Sequence, residues 1–210
     1  MKLQSLVLAA ATALTMTTAF AVPAGTWTVA AGAHYVDPKS DNGTLNNGLS
    51  VDVDGDVRPT ISGEYFIANN VGVELLAAIP FHHDFNLNNP DGTTALTGKT
   101  QHLPPTLSLQ YHFDGYNMPM NVKPFVGVGV NYTTFFKEKL NNAAGLELKL
   151  DDSLGVAGHI GLDIPFAPTE SFRIDARYMD IKTDATLDGA DLGEIDISPW
   201  VYGVAFVKQF

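Results

Sequence analysis

The chain has no cysteine, which removes disulfides, thiolate metal ligands and a thiol nucleophile together. Basic residues are scarce: 12 Lys and Arg stand against 23 Asp and Glu, a formal net charge of −11. That balance argues against nucleic acid and anionic membrane surfaces as partners. Long apolar runs are also missing. No stretch reaches the roughly 20 residues that a membrane helix needs.

The first 21 residues have the form of a secretory leader. Lys2 supplies a positive start, Leu6 to Leu14 a short apolar core, and Ala19-Phe20-Ala21 a small-x-small cleavage site. Residues 1–21 are expected to be removed, leaving one domain over 22–210. An exported chain without disulfides needs another source of stability, and a closed hydrogen-bonded sheet provides one.

What is present is alternation. Residues 200–210 set Trp200, Tyr202, Val204 and Phe206 against Val201, Gly203, Ala205 and Val207, so this strand separates two unlike environments. The same period-two pattern recurs over 25–36, 57–67, 71–81, 103–113, 123–136, 153–164 and 172–181. These eight stretches are long enough to cross a bilayer as tilted strands, for which about 9–11 residues suffice. Connections alternate between long and short, with long polar loops expected over 37–56, 82–99, 137–149 and 184–194. The fold class is therefore all-β: an eight-stranded antiparallel up-and-down transmembrane β-barrel.

The charges decide which face looks outward. A soluble lipocalin-like barrel would turn its apolar face inward. Here Arg58, Glu64, Glu74, Asp163, Arg173, Asp175 and Arg177 all share the small or polar face. The opposite face carries Val73, Leu75, Phe81, Val128 and Ile174, with aromatics toward the strand ends. This is the pattern of a lipid-facing wall with interfacial girdles.

The inward face mixes glycine and alanine with Phe66, Leu76, Phe125, Met179 and Val201. Two outcomes are open: a narrow, partly apolar pocket, or a lumen filled by bulky neighbours of the glycines. Inward charges must pair, so Arg58, Glu64, Asp163, Arg173 and Asp175 are expected to form an interior ion-pair network with Glu74 and Arg177. No catalytic residue is assigned. His82, His83, His102, His112 and His159 have no evident nucleophile beside them, and the first three read as solvated loop residues rather than metal ligands. Asp52-Val-Asp-Gly-Asp56 departs from a calcium loop, with Gly63 where the twelfth-position Glu belongs. No cofactor is expected.

Several blocks resemble the OmpW family of Gram-negative outer-membrane proteins. They are Asn70-Val-Gly-Val-Glu-Leu-Leu-Ala-Ala-Ile-Pro-Phe81, His102-Leu-Pro-Pro-Thr-Leu107, Lys123-Pro-Phe-Val-Gly-Val-Gly-Val-Asn-Tyr-Thr-Thr-Phe-Phe136, Tyr178-Met-Asp-Ile181 and Ser198-Pro-Trp200. The resemblance implies an outer-membrane barrel with both termini periplasmic, associated with passage of small hydrophobic molecules and sideways exit into the membrane. It implies an inward constriction at Leu76 and at a Trp position that Arg177 occupies here; the alternation itself adds Phe66, Glu74 and Met179 to the expected lumen lining. It also implies that Phe210 is read by the barrel-assembly machinery. Expected partners are outer-membrane lipid, lipopolysaccharide and a small hydrophobic solute. The competing expectation is a non-conducting barrel whose outer loops bind a partner.

Overall fold

The computed structural model describes residues 21–114, 118–141, 143 and 145–210. The expected leader therefore lies, apart from Ala21, outside the described residues. Fourteen strands are formed among the described residues: β1 (Trp27–Asp37), β2 (Ser50–Val53), β3 (Asp56–Ala68), β4 (Val71–Ala78), β5 (Phe81–Asn88), β6 (Thr94–Leu103), β7 (Thr106–His112), β8 (Lys123–Leu140), β9 (Leu148–Leu150), β10 (Ser153–Ala167), β11 (Glu170–Met179), β12 (Lys182–Leu187), β13 (Ala190–Asp196) and β14 (Trp200–Gln209). Eight of them, β1, β3, β4, β7, β8, β10, β11 and β14, pair antiparallel in a closed ring. The seam joins β1 to β14 from Thr28–Gln209 to Asp37–Trp200. Closure leaves this ring without a free edge.

The expected alternation decides the faces. Val128, Leu154, Val156 and Val204 are exposed on the outside, while Ser108, Gln110, Asn131 and Asp175 are buried inside. Aromatics gather in two belts. Trp27 packs on Tyr65, and Phe166 on Phe172, at the end bearing the short turns. Tyr178, Trp200 and Tyr202 cluster at the other end. Between these belts the outer wall is apolar, as lipid requires.

The four long connections are not the polar loops expected from sequence. β5 and β6 form a hairpin that continues β4 and β7 outward, and β8 runs on beside β6 to Leu140. β2 adds to β5. β9, β12 and β13 make a separate three-stranded sheet. In this region the polarity inverts: Phe81, Phe85, Leu87, Phe135, Leu148, Leu150, Leu192 and Ile195 are buried in one cluster, while His82, Asp84 and Lys99 face solvent. The outer third thus folds like a water-soluble sandwich on top of a membrane barrel.

Phe81 corrects the sequence reading, which put it on the lipid face. It is buried. The register between the two hairpin arms runs Leu76–Thr106 and then Phe81–His102. Four residues on one arm therefore oppose three on the other, and a one-residue excess inverts the alternation. Pro80, Pro104 and Pro105 lie in this interval and cannot donate to the ladder.

Candidate functional site

A continuous layer of paired charges fills the barrel at mid-height. Arg177, on β11, donates through Nη2 to Glu74 Oε2 on β4 at 2.6 Å, and its Nε lies 3.6 Å from Asp175. Gln110 donates to the same Glu74 oxygen at 2.7 Å and lies 3.0 Å from His159 Nδ1. Asp175 Oδ2 meets His159 Nε2 at 3.0 Å and His34 Nε2 at 3.2 Å. Arg173 grips Asp163 bidentately at 2.8 and 2.9 Å, across the β10–β11 register that sets them opposite. Its guanidinium also stacks 4.3 Å over the Phe125 ring. Glu64, directly opposite Glu74 in the β3–β4 ladder, turns away to His112 Nε2 at 2.8 Å. Two like charges thereby gain separate partners.

The small inward residues leave little space at this level: a cavity of about 10 Å³ remains among His34, Thr60, Glu74, Asp175 and Arg177. A Cβ on Gly203 would lie 2.1 Å from His34 Nε2, and one on Gly161 would lie 2.4 Å from the Phe125 ring. The glycines are the spaces into which these rings pack. Of the two outcomes open from sequence, the filled lumen describes the charge layer, and a narrow, partly apolar space describes the level above it.

Apolar space lies above the charge layer instead. Leu76, Met179, Val36, Ile181 and Val201 form its floor and continue into the cluster of the outer strands. A small cavity of about 10 Å³ here is lined by Leu76, Ala78, Phe81, His102, Pro104 and Met179, among others. A second, of about 30 Å³, lies higher, between Leu45, Val51, His83, Phe85, Leu148 and Ile195. The lower cavity lies against Ala78, Phe81 and Pro104, which flank the gap between the β4–β7 and β5–β6 pairings. There the Pro104 and Pro105 carbonyls turn to the Asn131 amide, while Ile79 donates to Pro59 and so continues the ladder to β3 on its other side. The upper cavity is roofed by the separate sheet. Asn42, on the segment before β2, clasps that sheet to β2, donating to the Asp196 carbonyl at 3.0 Å and accepting from the Val53 amide at 3.1 Å.

The proposed site residues therefore lie at different levels of the barrel. Glu74, Arg177, Asp175, Arg173, Asp163 and Glu64 come together in the charge layer. Leu76 and Met179 lie above it, whereas Phe66 lies on the short-turn side, packed on His112 at 5.0 Å. Arg58 does not join the network. It pairs with Asp56 at 2.7 Å near the start of β3, partly exposed, because its position on the strand lies beyond the charge layer. Phe210 donates its backbone amide to Trp27 at the seam. Sequence reasoning missed His34, His112 and His159 as partners of the inward acids, although all three share the inward parity. It also placed His83 and His102 in a solvated loop, whereas both are buried.

An eight-stranded barrel with a lipid-facing belt and a filled polar middle defines a small outer-membrane barrel protein. The chain belongs to the OmpW family, whose pattern it matches over residues 18–210. It is 36% identical to Outer membrane protein W of Vibrio cholerae over 97% of each chain. The crystal structure of the outer membrane protein OprG from Pseudomonas aeruginosa superposes with a TM-score of 0.76 at 34% identity, covering 90% of this chain and 98% of that one. A Pseudomonas aeruginosa relative, Dibenzothiophene metabolism operon protein PahQ, is 29% identical over 54% of this chain and 53% of its own.

Proposed function

We propose that this barrel gives small apolar molecules passive passage into the outer membrane by a bent route. A solute enters the chamber under the three-stranded sheet, is stopped from going straight on by the charge layer, and leaves sideways through the ladder interruption at Pro80, Pro104 and Pro105. The carrying observation is that an apolar cavity is lined by Ala78, Phe81 and Pro104, which flank that interruption, while paired charges occupy the barrel below it. Burial of apolar surface, at about 25 cal/mol per Å², drives admission. The naming of one relative for dibenzothiophene metabolism fits an apolar cargo. In this reading both termini are periplasmic, the outer strands meet lipopolysaccharide, the assembly machinery reads Phe210, and no step of catalysis is involved.

Uptake of a hydrophobic solute by cells with and without the protein tests the reading, and equal rates would end it. Replacing Pro80, Pro104 and Pro105 by Val restores ladder donors and should slow uptake. Unchanged uptake in that variant would remove the sideways route. A second reading rests on the filled barrel itself: a non-conducting scaffold whose outer strands bind a partner. Loop deletions that abolish a phenotype, together with indifference to Leu76→Trp, would favour it.

A further inference from the structure

Four buried polar atoms in the outer chamber have no partner among the described residues: His83 Nε2, both ring nitrogens of His102 and the Thr100 hydroxyl. All three side chains are at most 5% exposed. Leaving such groups unpaired costs stability, so their retention needs a reason. The two imidazoles stack 4.7 Å apart with 12° between their planes. Phe81 and Phe135 pack around His102.

The tautomer of His83 follows from its surroundings. Its Nδ1 meets the Asp54 carbonyl, which only accepts, so Nδ1 carries the hydrogen. Burial holds both rings below their ordinary value of 6.5, hence neutral. Nε2 of His83 is then a bare lone pair that requires a donor. His102 and Thr100 each offer one donor and one acceptor. Stacked rings direct their in-plane lone pairs side by side rather than toward one point, and no third metal-binding side chain joins them among the described residues. The arrangement suits a hydrogen-bonding head group better than a metal ion. His83 and Thr100 line the upper cavity, otherwise apolar, and His102 lines the lower one.

We infer that the chamber recognises an apolar molecule bearing one neutral O–H group, an alkanol or undissociated acid rather than a bare hydrocarbon. Its hydroxyl donates to His83 Nε2 and accepts from Thr100 or His102, while its chain lies among Phe85, Leu87, Leu148 and Ile195. A carboxylate or ammonium head is rejected, because a dry chamber does not replace its hydration. The closed cavities hold little more than water, so admission requires the three-stranded sheet to part from the β2 segment. This inference rests on the passage reading and names its substrate class.

The test uses the mature protein, ¹⁵N-labelled at histidine, in phospholipid nanodiscs, titrated with 1-octanol, n-octane or octanoate. Octanol should move the His83 Nε2 resonance, while octane and octanoate leave it in place. In cells, protein-dependent uptake should favour octanol over octane by about fivefold, the factor that one net hydrogen bond supplies. His83→Phe and, separately, Thr100→Val should bring the octanol-to-octane ratio near one. Silent imidazole resonances on octanol addition, or a ratio unchanged in both variants, would overturn the inference while leaving passage intact. Resonance shifts without protein-dependent uptake would support the binding site and overturn the passage reading.

Discussion

Arg177→Ala is the most direct test of the charge layer. The side chain is 2% exposed and bonds Glu74 at 2.6 Å, with Asp175 at 3.6 Å. Removing one partner of a buried ion pair typically costs about 3–5 kcal/mol, because the other charge stays buried without compensation. Glu74 would keep Gln110 at 2.7 Å and Arg173 at 3.5 Å, and Asp175 would keep two histidines. The loss should therefore fall at the low end, about 3 kcal/mol. Ile174→Val, on the lipid face of the same strand, trades one methylene between lipid and lipid and should cost within about 0.5 kcal/mol. Arg177→Met combined with Glu74→Gln removes both charges and should recover to within about 1 kcal/mol of the parent. Reversible urea unfolding in phospholipid vesicles, followed by the fluorescence of Trp27 and Trp200, measures all three. An Arg177→Ala loss no larger than that of Ile174→Val would refute the account of a coupled polar layer.

Gly203→Ala should destabilise the barrel by about 1–3 kcal/mol through overpacking, since its methyl would strike His34 and Asp175. Gly63→Ala, which meets nothing within 4 Å, should be neutral in the same unfolding assay. Val128→Lys, fully among lipid-facing neighbours, should cost about 2–4 kcal/mol in vesicles; a neutral result would contradict the orientation of the wall. The chamber should loosen in acid. Buried His83 and His102 resist protonation in the closed form, so an open form binds more protons below the ordinary 6.5 and stability falls as pH drops through that value. Arg58 near His83 opposes its charging, while Asp54 and Asp56 favour it. Amide exchange in β5 and β6 should rise below pH 6.5 in the parent and stay flatter in a His83→Phe, His102→Phe variant.

The barrel was legible because lipid imposes one rule on every wall strand. Val73, Val128 and Val204 had to face outward, and parity then carried Glu74, Gly129 and Gly203 inward. The outer strands obey the opposite rule. Phe81, Phe85 and Leu87 alternate with His82, Asp84 and Asn86 as clearly as any wall strand, but with the apolar side turned in, as water demands. Asn, Asp and Gly at the hairpin tips obscured that pattern and made the segment look like a polar loop. The slip at Pro80 was invisible for another reason: parity assumes an unbroken ladder, and only the partner strand reveals the extra residue. Pairing within the charge layer depended on how far each strand is staggered around the ring. The inward set was therefore readable, whereas the exclusion of Arg58 was not.

The seam has a consequence for how the molecule is made. Thr28 lies beside Gln209 and Val36 beside Val201, so the two ends of the wall meet only after nearly every intervening residue has been delivered. A nascent chain lacking its final strand would display β1 and β11 as raw edges to its surroundings. Custody of the whole polypeptide, from export to the moment of sealing, is thus written into which strands are neighbours.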